Sequence, residues 1–153
     1  MYTSGSRPAH HNQSQEGLDV KGNPYRVLVV DDEEIVRKLL TQILKSMSYD
    51  ICGEAVDGVM AVDMYKQLNP DIVTMDLQMP RLSGLEALKK IMVLDQEAVV
   101  VMLTNVADKD IVVDILKAGA KDYIVKPIKR KLIFAKLVKA RKPTATRVRK
   151  AHF

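Results

Sequence analysis

The stretch from Asp71 to Gly84 reads DIVTMDLQMPRLSG. Ile72 to Met75 carry an apolar or β-branched side chain at every position, so a strand here is buried on both faces, as in the middle of a parallel sheet. The strand then closes on a carboxylate, Asp76. Burying a lone charge is costly, so Asp76 must stand where the strand leaves the core and its side chain faces a pocket.

Working outward, the same strand-then-helix alternation recurs on both sides. YRVLVV, from Tyr25, is a second two-faced apolar run, and it ends on Asp31 and Asp32. Ile35, Val36, Leu39, Leu40, Ile43, Leu44 and Met47 follow at helical spacing, with Glu33 and Glu34 at the end of the helix dipole that favours acids. YDICGEA reads as a strand and Asp57 as the cap of a helix that offers Val59, Val62, Met64, Tyr65 and Leu68 and stops at Asn69-Pro70. Beyond Asp76, Ser83 and Glu86 have the spacing of a capping box over a helix to about Leu94. AVVVMLT is a fourth strand, Asp108 caps a helix that ends at Gly119, DYIV is a fifth strand, and a last helix covers roughly Lys129 to Arg141. Five strands alternating with five helices predict an α/β fold: a five-stranded parallel sheet in a doubly wound, three-layer sandwich.

Composition agrees with one such domain. The chain has 153 residues, 47% of them hydrophobic, enough for a single sizeable core over residues 25–141. Residues 1–24 are polar without hydrophobic period and are expected to be a disordered tail; residues 142–153 are expected to be a basic, frayed one. The longest apolar run, Ala98 to Leu103, is far short of the roughly 20 residues of a membrane span. No secretory h-region precedes the domain, and Cys52 is a lone cysteine; together these predict a cytoplasmic protein. The net charge of +5 hides an asymmetry: from Lys126 onward there are 11 Lys and Arg and no acid, against 13 bases and 19 acids before it. Such a run is by itself a solvated surface, and a contact with nucleic acid, an acidic protein or a membrane is the alternative.

The polar residues that end the apolar strands are Asp31 and Asp32, Asp76, Thr104 and Lys126. In an open parallel sheet, ligands bind beyond the carboxyl ends of the strands, where the strand order reverses. Three carboxylates gathered there repel one another, and a hard cation with oxygen ligands, Mg²⁺ above all, offsets that repulsion. No His or Cys joins the cluster to suggest a softer metal. A carboxylate beside a cation, a hydroxyl and a lysine suits a phosphoryl group: Asp76 as nucleophile, Lys126 and Mg²⁺ against the phosphoryl oxygens, Thr104 as a hydrogen-bond donor.

VLVVDDEE, IVTMDLQMPRLSGLEAL, VVVMLTN and GAKDYIVKPI, in this order and at these spacings, resemble the receiver domain of two-component response regulators, the CheY-like, flavodoxin-like fold. The resemblance runs from Tyr25 to near Arg141. It implies that Asp76 is the phosphoacceptor and that Asp32, with Asp31 mainly through water, holds Mg²⁺ together with Asp76 and the backbone carbonyl of Gln78. It implies further that Thr104 and Tyr123 move on phosphorylation, that Lys126 binds the phosphoryl group, and that a cis bond precedes Pro127. Gln78, Asn105 and Val106 stand where the family tunes its rates. Asn105 replaces the usual small residue and is expected to narrow the entrance. Gln78 and Val106 offer no base to water, so the aspartyl phosphate is expected to persist.

The function so implied is a stand-alone response regulator. It takes its phosphoryl group from a sensor histidine kinase and signals by changing protein partners on the face of the fourth helix, fifth strand and fifth helix. A chemotaxis-type role at the flagellar switch and a phosphorelay intermediate both suit it, as a monomer or a phosphorylation-dependent dimer. A turnover phosphohydrolase of the haloacid dehalogenase type would need an acid two residues beyond the nucleophile; Gln78 is there, so no enzyme of that kind is expected. DNA regulation would rest on the basic tail alone, since no helix-turn-helix follows.

Overall fold

A computed structural model describes residues 15–105 and 108–143. Five strands, β1 (Arg26–Val30), β2 (Asp50–Ala55), β3 (Ile72–Asp76), β4 (Val100–Thr104) and β5 (Asp122–Val125), alternate with α1 (Glu34–Ser46), α2 (Gly58–Leu68), α3 (Gly84–Leu94), α4 (Lys109–Lys117) and α5 (Arg130–Ala140). All pairings are parallel and the strand order is β2-β1-β3-β4-β5. The doubly wound sandwich expected from the alternation is therefore the observed fold.

The period of two along each strand divides the core into two layers. Leu28, Val30, Val73, Met75, Val100 and Met102 pack on one face with Ala61 and Tyr65 of α2, Ala87, Leu88 and Ile91 of α3 and Ile115 of α4. Val27, Val29, Ile72, Val101, Leu103 and Ile124 pack on the other with Leu40 and Leu44 of α1 and Ile133 and Leu137 of α5. Every residue of β3 and β4 is buried, which is why these two strands read as apolar on both faces.

The helix ends follow local chemistry. Asp57 accepts from Met60 N, Ser83 from Glu86 N, and Asp108 from Asp110 N and Ile111 N, so each satisfies donors that the first turn leaves open. Asn69 ends α2 in the left-handed region, φ 46°.

Two expectations need correction. Residues 15–24 do not lie in a disordered tail. They form a turn in which Gly17 N donates to Met47 O (2.6 Å) and Tyr25 N to Gly17 O (2.7 Å), with Leu18 bridged to Pro24. These are backbone bonds, so no hydrophobic period announces them. Lys142 likewise belongs to the body: Tyr25 Oη donates to its carbonyl at 2.5 Å, and Arg141 sits 4.8 Å over the Tyr25 ring. The rest of both expected tails, residues 1–14 and 144–153, lies outside the described residues. On α1, Ile35 is 81% exposed and Leu39 44%, because the stripe that meets the sheet is the one through Leu40, Leu44 and Met47. No helix among the described residues is long and apolar enough to cross a membrane.

Candidate phosphoryl-acceptor site

The strand order reverses between β1 and β3, and that is where the carboxylates meet. β1 delivers Asp31 and Asp32 just past Val30. Asp31 is held on all sides: its N donates to Ala55 O (3.1 Å), its Oδ1 accepts from Glu33 N (2.9 Å), and Arg37 Nη1 donates to its carbonyl (2.8 Å). Asp76 closes β3, and the ladder continues past it, with Leu77 N donating to Leu103 O at 2.9 Å. Gly84 makes the tight return possible: its N donates to Leu77 O (2.8 Å), and a Cβ on it would stand 2.1 Å from the Asp76 carbonyl oxygen.

Asp31, Asp32 and Asp76 each offer a carboxylate oxygen within 4.8 Å of the others. Asp31 and Asp76 are 2% and 5% exposed, while Asp32 faces solvent. Lys126 answers two of them: its Nζ donates to Asp31 Oδ2 (3.1 Å) and to Asp76 Oδ1 (3.3 Å). Lys126 follows β5, and its N donates to Thr104 O (2.8 Å) at the end of β4; the expected cis bond to Pro127 is present.

The charges disturb one another. Burial, and then the Asp31 carboxylate, push Asp76 up from the ordinary 3.8 to about 6, against the pull of Lys126. For Lys126, burial alone would lower the ammonium; hydrogen bonds and charge from Asp31 and Asp76 outweigh it, and the net shift is upward. Three carboxylates facing one ammonium leave an excess of negative charge in a partly dry cleft. That excess, with oxygen donors alone, fits a hard divalent cation.

The remaining expected residues fall at different distances from this centre. Thr104, buried, ends β4 beside the strand of Asp76. Tyr123 lies on β5 opposite Met102, half-buried against the α2–α4 layer, and is not part of the carboxylate cluster. Gln78 and Asn105 are exposed on the loops after β3 and β4. Val106 lies outside the described residues. The contact that sequence reasoning missed is that of Lys136, one of the bases of α5: its Nζ donates to Asp122 Oδ1 (2.8 Å) and stands 5.1 Å from the Tyr123 ring centroid, a cation–π contact. A separation of 13 residues across two elements gives it no local motif.

The sequence model of the response regulator receiver domain matches residues 27–138. The chain is 42% identical over 139 residues to a chemotaxis protein CheY of Treponema pallidum, covering 90% of this chain and 96% of that one. It is 42% identical over 117 residues to a chemotaxis protein CheY of Thermotoga maritima, covering 76% of this chain and 98% of that one. Among solved structures, a chain of the CheX-CheY-BeF3-Mg²⁺ complex from Borrelia burgdorferi superposes with a TM-score of 0.79 at 38% identity, covering 82% of this chain and 97% of that one. The acidic crevice at the β1/β3 reversal thus sits in a sequence that matches one family along nearly all of its folded length, and the chain belongs to the response regulator receiver domains.

Proposed function

We propose that this response regulator is a phosphorylation-dependent switch, with Asp76 taking a phosphoryl group from the phosphohistidine of a sensor histidine kinase. The observation that supports the reading is the pairing of Lys126 with both Asp31 and Asp76 at 3.1 and 3.3 Å, a cation beside buried carboxylates.

An Asp76 carboxylate oxygen attacks phosphorus. The new P–O bond forms as the P–N bond breaks, and the bonding pair returns to the histidine nitrogen of the donor. Asp76 is ionised for this above about pH 6. Lys126 exchanges part of its contact with the carboxylates for the phosphoryl oxygens, and the Thr104 hydroxyl donates to another of them. Mg²⁺, held by Asp31, Asp32, Asp76 and the Gln78 backbone carbonyl, would neutralise the charge that collects on those oxygens. Gln78 supplies neither acid nor base two residues beyond Asp76, so the protein keeps its phosphoryl group rather than turning over phosphomonoesters.

Engagement of Thr104 draws the end of β4 toward the site and changes the space open to Tyr123. That biases a pre-existing equilibrium of the α4–β5–α5 face, where protein partners are exchanged. The relatives named as chemotaxis proteins favour a chemotaxis-type partner over a phosphorelay one. The test is incubation with a small-molecule phosphodonor, with Mg²⁺ or with EDTA, read on a phosphate-affinity gel. A retarded band that needs Mg²⁺ and is missing in Asp76→Asn is expected; a wild-type chain that takes up no phosphoryl group overturns the reading.

A further inference from the structure

The loop from Leu77 to Ser83 contains a feature that the carboxylate pocket does not explain. Leu82 N donates to Pro80 O at 2.7 Å, closing a three-residue turn, and the central residue of that turn, Arg81, has φ 69°. A γ-turn of positive φ is rare and strained, and a residue with a long side chain seldom takes this backbone conformation. Such a conformation persists only where its surroundings impose it.

The surroundings here are the first residues of α2. Arg81 Nη1 lies 3.4 Å from Asp57 Oδ2. The Asp57 side chain is 7% exposed, and its other oxygen accepts from Met60 N at 2.8 Å. One carboxylate thus caps α2 and holds the loop, with an oxygen for each. Next to it, Leu82 lies so close to Gly58 that a Cβ there would stand 2.3 Å from the Leu82 carbonyl oxygen. The far end of the loop is fastened by Gly84 N to Leu77 O at 2.8 Å. Gln78 lies between these anchors.

As a stabiliser the ion pair is poor. The Arg81 side chain is 66% exposed, a setting in which ion pairs contribute little, and a glycine at this position would relieve the turn of its strain. What the pair does accomplish is geometric, since it pins the loop to α2 three residues beyond Gln78. We propose that Asp57 and Arg81 are positioning residues for the divalent cation: their ion pair fixes the Leu77–Ser83 loop and with it the Gln78 backbone carbonyl, while neither side chain touches the metal. This rests on the Mg²⁺ reading of the proposed function.

The experiment is isothermal titration calorimetry of Mg²⁺ into the full chain, paired with urea unfolding in metal-free buffer. Asp57→Asn keeps an oxygen for Met60 N and so keeps the cap. Arg81→Gly should weaken Mg²⁺ roughly 3- to 10-fold, less than the loss of a group bonded directly to a ligand, while its unfolding midpoint holds or rises. Asp57→Asn should weaken Mg²⁺ by a similar factor, Arg81→Lys should retain most of the wild-type affinity, and the double variant should bind no worse than either single one. A wild-type chain that binds no Mg²⁺ overturns the proposed function and the tether with it. Equal affinity in wild type and all variants, or losses that add in the double variant, overturns the tether alone.

Discussion

Replacing Asp76 with Asn should make the folded protein more stable in metal-free buffer at neutral pH. The unfolded chain releases this proton near the ordinary 3.8, whereas the folded chain keeps it to about 6, because burial and the neighbouring Asp31 disfavour the second negative charge. Between those values the folded state binds more protons than the unfolded one. Stability therefore falls as pH rises from 3.8 toward 6 and stays at the lower level above it. At about 1.4 kcal/mol per tenfold change in proton affinity, that gap corresponds to about 3 kcal/mol. Asp32 opens the cleft to solvent, which screens the repulsion and brings the expected value to about 2–3 kcal/mol. The amide of Asp76→Asn imitates the protonated acid and leaves Lys126 its 3.1 Å partner, Asp31.

Urea unfolding of both proteins in EDTA, at pH 7.5 and at several values down to pH 4, measures this directly. The variant should exceed wild type by about 2–3 kcal/mol at pH 7.5, with the advantage shrinking across the window and gone near pH 4. Adding Mg²⁺ should raise wild type and narrow the difference. A variant that is equal to or less stable than wild type at pH 7.5 would refute the reasoning, because Asp76 would then not be held against its charge.

Lys126→Met strips Asp31 and Asp76 of the cation they share and should lower stability by about 2–4 kcal/mol without metal, with partial recovery in Mg²⁺; a loss under about 0.5 kcal/mol would show that solvent already screens the pair. Gly84→Ala drives a methyl into the β3 backbone at 2.1 Å and should cost at least about 2 kcal/mol in the same assay. Neutral behaviour would mean that α3 can slide away from Asp76. Asn105→Ala should speed phosphorylation by a small donor several-fold by widening the entrance; an unchanged rate would remove Asn105 from the gate.

What the sequence revealed and what it hid have physical reasons. β3 and β4 were readable because full burial leaves no polar position to mask the run, and the caps Asp57, Ser83 and Asp108 because capping is a local interaction. The strand-end acids and Lys126 were expected to meet because a parallel sheet gathers the carboxyl ends of its strands at one edge, and Asp31, Asp32, Asp76 and Lys126 do meet there. The turn of residues 15–24 was missed because its anchors are backbone groups of Gly17 and Tyr25. The helical repeat of α1 was legible, but a short amphipathic repeat does not say which edge of its stripe meets the sheet, and Ile35 is left exposed. Lys136 over Tyr123 and Arg81 on Asp57 join separate elements, and surface cations at such distances have no signature in one sequence.

The proposed transfer of a phosphoryl group to Asp76 is tested most directly by treating the chain with a small donor and Mg²⁺, reducing any acyl phosphate with borohydride, and mapping the reduced residue by peptide mass spectrometry. Reduction at position 76 alone, lost in Asp76→Asn, is the predicted result. Reduction at Asp31 or Asp32 instead, or at no residue of a chain that has taken up phosphate, would contradict it.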